Sequence, residues 1–223
     1  MVGVRTRRTA GNDFLFYDPT TGTAETYRFA WINEEGRYKM ARLRPHTGWR
    51  TTWTHIVPGQ FGGDGQTDLL FYEASSGTGE FYTVAKNARL EPLRSHTGWR
   101  TSWSHIVPGY FGGRSGLLFY DADAGIGDFY AVSEGRLEQL SSHTDWRTSW
   151  NAIVPGDFAA HVEPAGLTHY ASDDSCLYDA AAGTGEFYAT DNGRMELLNA
   201  HTDWRTTWSS LARFDSEQYA VEL

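Results

Sequence analysis

One eight-residue sequence occurs four times in the chain: HTGWRTTW at 46–53, HTGWRTSW at 96–103, HTDWRTSW at 143–150 and HTDWRTTW at 201–208. Only its third and seventh positions vary. The copies begin at intervals of 50, 47 and 58 residues, and they contain eight of the nine tryptophans. A repeat with a period near 50 residues predicts an array of similar structural units. We refer to each copy as the octapeptide.

Each octapeptide belongs to a unit with the same order of short apolar runs. The first run reads FLFYD at 14–18, LLFYE at 69–73, LLFYD at 117–121 and CLYD at 176–179. A turn such as ASSGTGE leads to a second run such as FYTV, and a third run such as RLEPL leads into the octapeptide. A fourth run such as THIVPGQF follows it. Runs separated by Gly-containing turns are typical of β-hairpins, and no stretch has the 3.6-residue apolar period of a helix.

Four-stranded antiparallel units of about 50 residues predict an all-β fold, a small β-propeller. A β-sandwich is the competing all-β fold, but it gives no reason for a fourfold repeat. We therefore expect one domain over residues 1–223 with four blades, and the tail EQYAVEL leaves five blades open. The approximate repeat boundaries are 13–61, 62–111, 112–158 and 159–214.

The two ends of the chain complement each other. The first unit has no complete IVPG-type run before FLFYD, whereas the last unit ends with SSLARF at 209–214, which would supply the missing strand. We expect the N- and C-terminal strands to share one blade and to close the ring. Closure would remove the exposed sheet edges that favour aggregation.

Composition excludes several classes of protein. The formal charge of −9 argues against a nucleic-acid partner, because such binding needs Lys and Arg to neutralise phosphates. The single cysteine, Cys176, cannot form an internal disulfide. No apolar run has transmembrane length, so no membrane insertion is expected, and no export signal is evident. We expect a cytoplasmic protein from the chain as written, or a secreted one if an N-terminal signal was removed.

The stretch IVPGQFGGDGQTDLLFYE at 56–73 resembles the FG-GAP or VCBS type of repeat, which is found in propellers of integrin heads and of many bacterial secreted proteins. With the Trp-rich octapeptide, the chain is similar to tandem repeats of actinobacterial proteins of that type. The resemblance implies a propeller and does not specify a function, since such propellers serve many functions.

In that family a loop of the form D-x-[DN]-x-[DN]-G-x-x-D binds calcium through alternating oxygens. The matching positions here are Gln60, Gly62, Asp64 and Asp68, so two of the four side-chain ligands are missing. We therefore expect no metal site and no cofactor. Asp64 and Asp68 are the positions at which calcium would bind if it bound at all.

Two interpretations of the octapeptide remain open. In the structural one, its tryptophans pack adjacent blades together, and its His and Thr satisfy the backbone where the chain crosses between blades. In the other, each copy forms a ligand pocket, with an aromatic face for a sugar ring and polar groups for its hydroxyls. We expect the second Trp of each copy to be buried and the first Trp to lie nearer the surface. The second Trp residues are Trp53, Trp103, Trp150 and Trp208.

The ligand-binding interpretation assigns the His, first Trp and Arg of every copy to a site. These residues are His46, Trp49, Arg50, His96, Trp99, Arg100, His143, Trp146, Arg147, His201, Trp204 and Arg205. Asp replaces Gly at the third position in the last two copies and adds an acceptor. The repeated tyrosines of the second strand and the acid two residues before each are more typical of propeller core and turn. They are Tyr27, Tyr82, Tyr130 and Tyr188.

A catalytic site needs an acid and a base in distinct environments, so it needs a place where the repeat is broken. The longest interval between octapeptides contains HVEPAGLTHYASDDSC at 161–176. Its candidates for acid–base or metal chemistry are His161, Glu163, His169, Asp173, Asp174 and Cys176. Their spacing matches no standard metal motif, and a surface loop is the alternative interpretation.

The leading functional hypothesis from the sequence is a carbohydrate-binding, lectin-like propeller with several similar weak sites, which multivalent glycans would engage together. The main alternative is an enzyme of specialised metabolism that uses the central channel or the 161–176 loop. A protein-interaction scaffold is the third. The expected partners are glycans or a small-molecule ligand, and the sequence leaves the oligomeric state open.

Overall fold

A computed structural model describes residues 2–4, 13–32, 36–156, 158 and 173–212. This part of the chain contains sixteen β-strands and one short 3₁₀ helix at Lys86–Ala88. The strands are β1 Val2–Val4, β2 Asp13–Asp18, β3 Thr23–Ile32, β4 Arg37–His46, β5 His55–Gly59, β6 Asp68–Glu73, β7 Thr78–Val84, β8 Leu90–His96, β9 His105–Phe111, β10 Arg114–Asp121, β11 Ile126–Ser133, β12 Arg136–His143, β13 Ala152–Gly156, β14 Asp174–Asp179, β15 Thr184–Asp191 and β16 Arg194–His201.

These strands form four antiparallel sheets, each built from four consecutive strands. Blade 1 contains β1–β4, blade 2 contains β5–β8, blade 3 contains β9–β12 and blade 4 contains β13–β16. The predicted all-β, four-bladed architecture is confirmed. Each of the first three octapeptides links the last strand of one blade to the first strand of the next, so it lies where neighbouring blades meet.

The pairing of the chain ends differs from the expectation. Blade 1 takes its first strand from Val2–Val4, with Val2 opposite Leu15 and Val4 opposite Asp13. Residues 209–212 of the SSLARF segment form no strand, and residues 213–214 lie outside the described part. The first strands pack in the order β1, β5, β9, β13, and no comparable packing of β13 against β1 occurs among the described strands. A three-residue strand is too short to give a periodic signal in the sequence.

The pairing of the third and fourth strands contains the same irregularity in every blade. The register shifts between Thr26 and Tyr27 in blade 1, and at the equivalent positions Phe81/Tyr82, Phe129/Tyr130 and Phe187/Tyr188 in the others. A β-bulge bends a strand locally and changes the direction of the side chains beside it. The repeated tyrosine therefore occupies an equivalent local position in all four blades.

The apolar core consists of the layers between blades. The layer between blades 2 and 3 contains Leu70, Phe81, Trp103 and Phe119, all buried. Equivalent layers join blades 1 and 2 and blades 3 and 4. Burial of a large aromatic side chain at each layer supplies much of the free energy that holds the blades together.

The second Trp of the octapeptide is buried in three copies out of four. Trp53, Trp103 and Trp150 are 9%, 7% and 4% exposed, as expected. Trp208 is 41% exposed, so the expectation is wrong for the fourth copy. The first three tryptophans are each covered by the following blade, and no described blade follows blade 4.

Replacing Trp150 with Ala should lower the free energy of unfolding by about 3–5 kcal/mol, because the change opens a cavity between blades 3 and 4. Trp150→Phe keeps an aromatic ring in that layer, so it should lower the free energy of unfolding by clearly less than the Ala variant does. Urea unfolding followed by circular dichroism measures both. Equal stability of the Ala variant and the parent protein would contradict the assignment of Trp150 to the core.

Candidate functional site: the grooves between blades

Each octapeptide is fixed to its own blade by two backbone contacts that recur along the chain. The amide of the first Trp donates to a glycine carbonyl of the preceding hairpin turn, as from Trp99 to Gly77 at 2.9 Å. A tyrosine hydroxyl donates to the carbonyl of the octapeptide Arg, as from Tyr72 to Arg100 at 2.5 Å. Equivalent bonds occur in the other three copies. The loop that carries the predicted site residues is therefore held in a defined position.

The first Trp lies over its own blade. A Cβ atom at Gly79 would overlap the ring of Trp99, and the same holds for Gly127 beneath Trp146. Glycine at this position lets the indole lie directly against the strand backbone. These tryptophans are half-buried, as expected from the sequence, so part of each ring remains accessible.

The octapeptide Arg connects its loop to the following blade. The guanidinium of Arg50 lies 4.8 Å from the centroid of the Trp53 ring and forms an ion pair with Glu80 at 2.6 Å. Arg147 likewise lies 5.0 Å from the Trp150 ring and forms an ion pair with Glu186 at 2.5 Å. A guanidinium over an indole face is stabilised by cation–π attraction.

The seventh octapeptide position reinforces this contact. The hydroxyl of Ser102 donates to Asp121 at 2.5 Å, and that of Ser149 donates to Asp179 at 2.5 Å. Both carboxylates belong to the following blade, at the end of its second strand. The four serine and threonine variants at this position all keep the hydroxyl that the contact needs.

The octapeptide His contacts a turn of the following blade. The Nε2 atom of His96 lies 2.8 Å from the carbonyl oxygen of Gly135, and that of His143 lies 2.7 Å from the carbonyl oxygen of Gly193. Because a carbonyl only accepts, Nε2 carries the proton, and a neutral ring then has its lone pair on Nδ1. The fixed partner thus assigns the tautomer and leaves Nδ1 as an acceptor.

His46 differs from these two residues. Its Nε2 atom lies 3.3 Å from the hydroxyl of Thr26 in its own blade. Burial lowers the pKa of His46, and the nearby charge of Arg44 lowers it further. The first copy therefore shares the shape of the others but not the same orientation of its imidazole.

Three cavities of about 420, 420 and 380 Å³ lie between the blades, one beside each of the first three octapeptides. We call them grooves 1, 2 and 3. Groove 1 is lined by His46, Trp49, Arg50, Glu80 and Tyr82, groove 2 by His96, Trp99, Arg100, Asp128 and Tyr130, and groove 3 by His143, Trp146, Arg147, Glu186 and Tyr188. Nine of the predicted ligand-binding residues are thus brought together in three similar grooves. Ligand binding by them stays a prediction.

The sequence interpretation underrated the repeated tyrosine and acid, which lie on the third strand of each blade. Tyr82 donates to Glu80 at 2.5 Å, and Tyr188 donates to Glu186, whose other oxygen accepts from Arg147. Burial and the adjacent carboxylate raise the pKa of Tyr82 to about 12, and the pKa of Tyr188 is raised for the same reasons. These phenols therefore stay protonated at neutral pH. The fourfold recurrence of Tyr two residues after an acid was the available signal.

Groove 3 has an additional carboxylate. Asp145 lines it, whereas Gly48 and Gly98 occupy the equivalent positions in grooves 1 and 2. Asp145 has a φ of +65°, a left-handed conformation that glycine adopts without cost and most other residues avoid. Groove 3 therefore combines His143, Asp145, Arg147 and Glu186 in one cavity.

The fourth octapeptide has no groove of this kind in the described part of the chain. The ring of His201 stacks on Trp204 at 5.8 Å, while no described acidic side chain forms an ion pair with Arg205. Trp204 instead lines an apolar cavity of about 300 Å³ with Val154, Phe158 and Phe187. The expected fourfold set of sites is thus observed as three grooves and one open face.

The predicted catalytic loop is only partly described. His161, Glu163 and His169 lie outside the described residues. Asp173 accepts from the amide of Tyr110 at 2.8 Å, and Asp174 accepts from the amide of Phe158 at 2.9 Å. These two carboxylates satisfy backbone groups, so the structure gives them a structural role.

The two candidate calcium ligands also serve the loop that contains them. Asp68 is buried and accepts from the amides of Phe61 and Gly62 at 2.8 and 2.5 Å. Asp64 accepts from the backbone amide of Gln66 at 2.9 Å. No group of three or more His, Cys, Asp or Glu side chains in the described ranges is arranged to hold a metal ion. No helix in the same ranges is long and apolar enough to cross a membrane.

No family model matches the chain, and a search of the curated proteins finds no match either. The FG-GAP or VCBS resemblance is therefore supported only at the level of the propeller fold.

Solved structures show the fold. A protein from Lactobacillus plantarum aligns with a TM-score of 0.51 and 14% identity, over 90% of this chain and 55% of its own. A putative 6-phosphogluconolactonase from Bacteroides fragilis aligns with a TM-score of 0.53 and 9% identity, over 90% of this chain and 56% of its own. The periplasmic gluconolactonase of Pseudomonas aeruginosa has a TM-score of 0.47 at 14% identity, over 91% of this chain and 57% of its own. The chain thus spans just over half the length of these structures.

These alignments support the all-β propeller fold that the four sheets form. The lectin-like function expected from the sequence is contradicted, because the Bacteroides fragilis neighbour is a putative 6-phosphogluconolactonase and not a lectin. The multivalent-glycan argument failed because a repeat that stabilises every blade interface needs no ligand to explain it.

Cys176 should be unreactive in the folded protein. It is buried, and burial raises the pKa of its thiol to about 11. This shift reduces the thiolate, which is the reactive form, roughly 100-fold at pH 8. Modification by a disulfide reagent should be slow in buffer and should reach one thiol per chain in guanidinium chloride. Fast modification of the native protein would show that Cys176 is exposed.

Proposed function

We propose that the protein is a hydrolase of small sugar-derived lactones and that groove 3 is its active site. The observation that carries the proposal is the combination in groove 3 of an oriented His143 with Asp145 and the Arg147–Glu186 ion pair. The fold it shares with a putative 6-phosphogluconolactonase adds support. Grooves 1 and 2 lack the aspartate, so they are structural counterparts of groove 3.

His143 is the proposed general base. Its Nε2 proton is donated to Gly193, which leaves the Nδ1 lone pair to take a proton from water. The water oxygen attacks the lactone carbonyl carbon, and the ring C–O bond then breaks. The leaving ring oxygen takes the proton back from the imidazolium, and the product is a hydroxy acid. Water is the only co-reactant.

Arg147 is the proposed oxyanion stabiliser. It is half-exposed, with 47% of its side chain accessible, and Glu186 and the Trp150 ring hold its guanidinium in place. A fixed cation near the lactone carbonyl favours the negative charge that develops on oxygen during attack. The same cation would also bind the carboxylate of the product.

Trp146 and Asp145 are the proposed substrate contacts. The half-buried indole offers an apolar surface for the C–H face of a sugar ring, and the carboxylate accepts hydrogen bonds from its hydroxyls. A groove of about 380 Å³ is within the size range of small-molecule sites.

Hydrolysis of glucono-1,5-lactone, followed with a pH indicator against the spontaneous rate, tests the proposal. His143→Gln keeps a donor for Gly193 and removes the base, so the enzymatic acceleration should fall by about 100-fold or more. The matched control is His96→Gln, which makes the same change in groove 2 and should leave the acceleration intact. Both variants should keep the thermal stability of the parent.

Two results would contradict this assignment. Parent protein that does not accelerate hydrolysis of glucono-1,5-lactone or its 6-phosphate would rule out the proposed reaction. Equal losses in the His143 and His96 variants would show that groove 3 has no special role.

A further inference from the structure

The face of blade 4 that points away from blade 3 is exposed. The equivalent face of each other blade is covered by the blade that follows it. Trp208 is 41% exposed, and Leu198 of the last strand is 46% exposed. The apolar cavity lined by Val154, Phe158 and Phe187 opens on this face. We call this surface the tail face.

Blade 1 exposes the opposite face. Phe16 stands where Phe71, Phe119 and Leu177 stand in the other blades, and those three are at most 2% exposed, whereas Phe16 is 38% exposed. The register places Phe29 opposite Met40 and Trp31 opposite Tyr38. These four side chains are 44–59% exposed. We call this surface, with Phe16, the head face.

The tail and head faces match each other through contacts that the chain makes repeatedly. Trp53 packs on Phe71 with a centroid distance of 5.5 Å, and Trp103 packs on Phe119 at 5.4 Å. The equivalent pair at the exposed faces is Trp208 and Phe16. Trp208 corresponds to Trp53 and Trp103, and Phe16 corresponds to Phe71 and Phe119.

The polar contacts match in the same way. Arg147 forms ion pairs with Asp179 and Glu186 of the next blade. The equivalent cation on the tail face is Arg205, and the equivalent acids on the head face are Asp18 and Glu25. Opposite charges thus lie at corresponding positions of the two faces, which favours one orientation of contact.

We propose that the tail face of one copy binds the head face of a second copy, so that two chains form one closed ring of eight blades. The solved structures that align with 90% of this chain are about 1.6 times as long, so the four blades match a little over half of a longer chain of the same fold. A head-to-tail contact that closes after two copies has two identical interfaces. The head and tail faces that the dimer buries then form interfaces of the same kind as those between neighbouring blades of one chain.

The second copy also completes a fourth groove. His201, Trp204 and Arg205 supply one wall, and Glu25, Tyr27 and Met40 of the second copy stand at the positions that Glu186, Tyr188 and Met195 occupy in groove 3. The fourth octapeptide also has an aspartate, Asp203, with the same φ of +65° as Asp145. The dimer would therefore contain further grooves of the groove 3 type, and the loss of activity expected for His143→Gln is measured in a His201→Gln background. The interface itself does not depend on the proposed lactonase activity.

Sedimentation equilibrium of the full chain over 1–100 µM tests the proposal. The parent should have twice the 25.0 kDa chain mass. Trp208→Asp and Phe16→Asp each alter an exposed side chain, so both should fold, and each should weaken association at least roughly thirtyfold, as loss of a central interface residue does. Tyr110→Asp alters a side chain of similar exposure in blade 3 and should remain dimeric.

Mixing the two variants distinguishes head-to-tail contact from other arrangements. In a mixture, the Phe16→Asp variant supplies an unaltered tail face and the Trp208→Asp variant supplies an unaltered head face, so one interface of a mixed dimer is intact. The mixture should therefore form heterodimers under conditions in which each variant alone stays monomeric. A monomeric parent at all concentrations overturns the proposal, as does an open polymer or a Phe16→Asp variant that remains fully dimeric. Absence of heterodimers in the mixture overturns it as well.

Discussion

The contact between an octapeptide and the blade that follows it is the interaction on which the rest of the structure depends. A propeller blade has two apolar faces and is stable only when both are covered. At each interface of the described arc, a buried Trp, an Arg over its ring and a hydroxyl bonded to the next blade act together, as with Trp150, Arg147 and Ser149. The first three copies make the same contacts because the same packing between neighbouring blades recurs at all three described interfaces.

The grooves are a consequence of this packing. The residues that join two blades also leave a cavity of about 400 Å³ at the joint, because a flat indole and a forked ion pair do not fill the space between diverging sheets. The proposed lactone hydrolysis needs only small changes to the residues that pack neighbouring blades together. Asp145 replaces the glycine of grooves 1 and 2, and in groove 3 it occurs together with the His143 contact to Gly193 and the Arg147–Glu186 ion pair.

The architecture could be predicted because it follows from local, repeated patterns. The octapeptide, the four apolar runs and the turn glycines predicted four four-stranded blades and the burial of the second Trp, which holds in three copies out of four. The exposed Trp208 and the strand Val2–Val4 could not be predicted, since they depend on which blade stands next to which. The roles of Glu186 and Tyr188 were missed because burial and ion pairing with Arg147 arise only when blades pack. The lectin-like function was wrong, and it had followed one of two interpretations of the octapeptide that the sequence left open.

Native-state hydrogen exchange tests most directly whether the octapeptides hold the blades together. The amides of Trp99 and Trp146, which belong to these loops, donate to the carbonyl oxygens of Gly77 and Gly125 in the preceding hairpin turns. If the loops are part of the blade interfaces, both amides should exchange only through global unfolding, with protection equal to that of the buried strand residue Leu118. Exchange of the Trp99 and Trp146 amides through local opening, far faster than that of Leu118, would contradict the account.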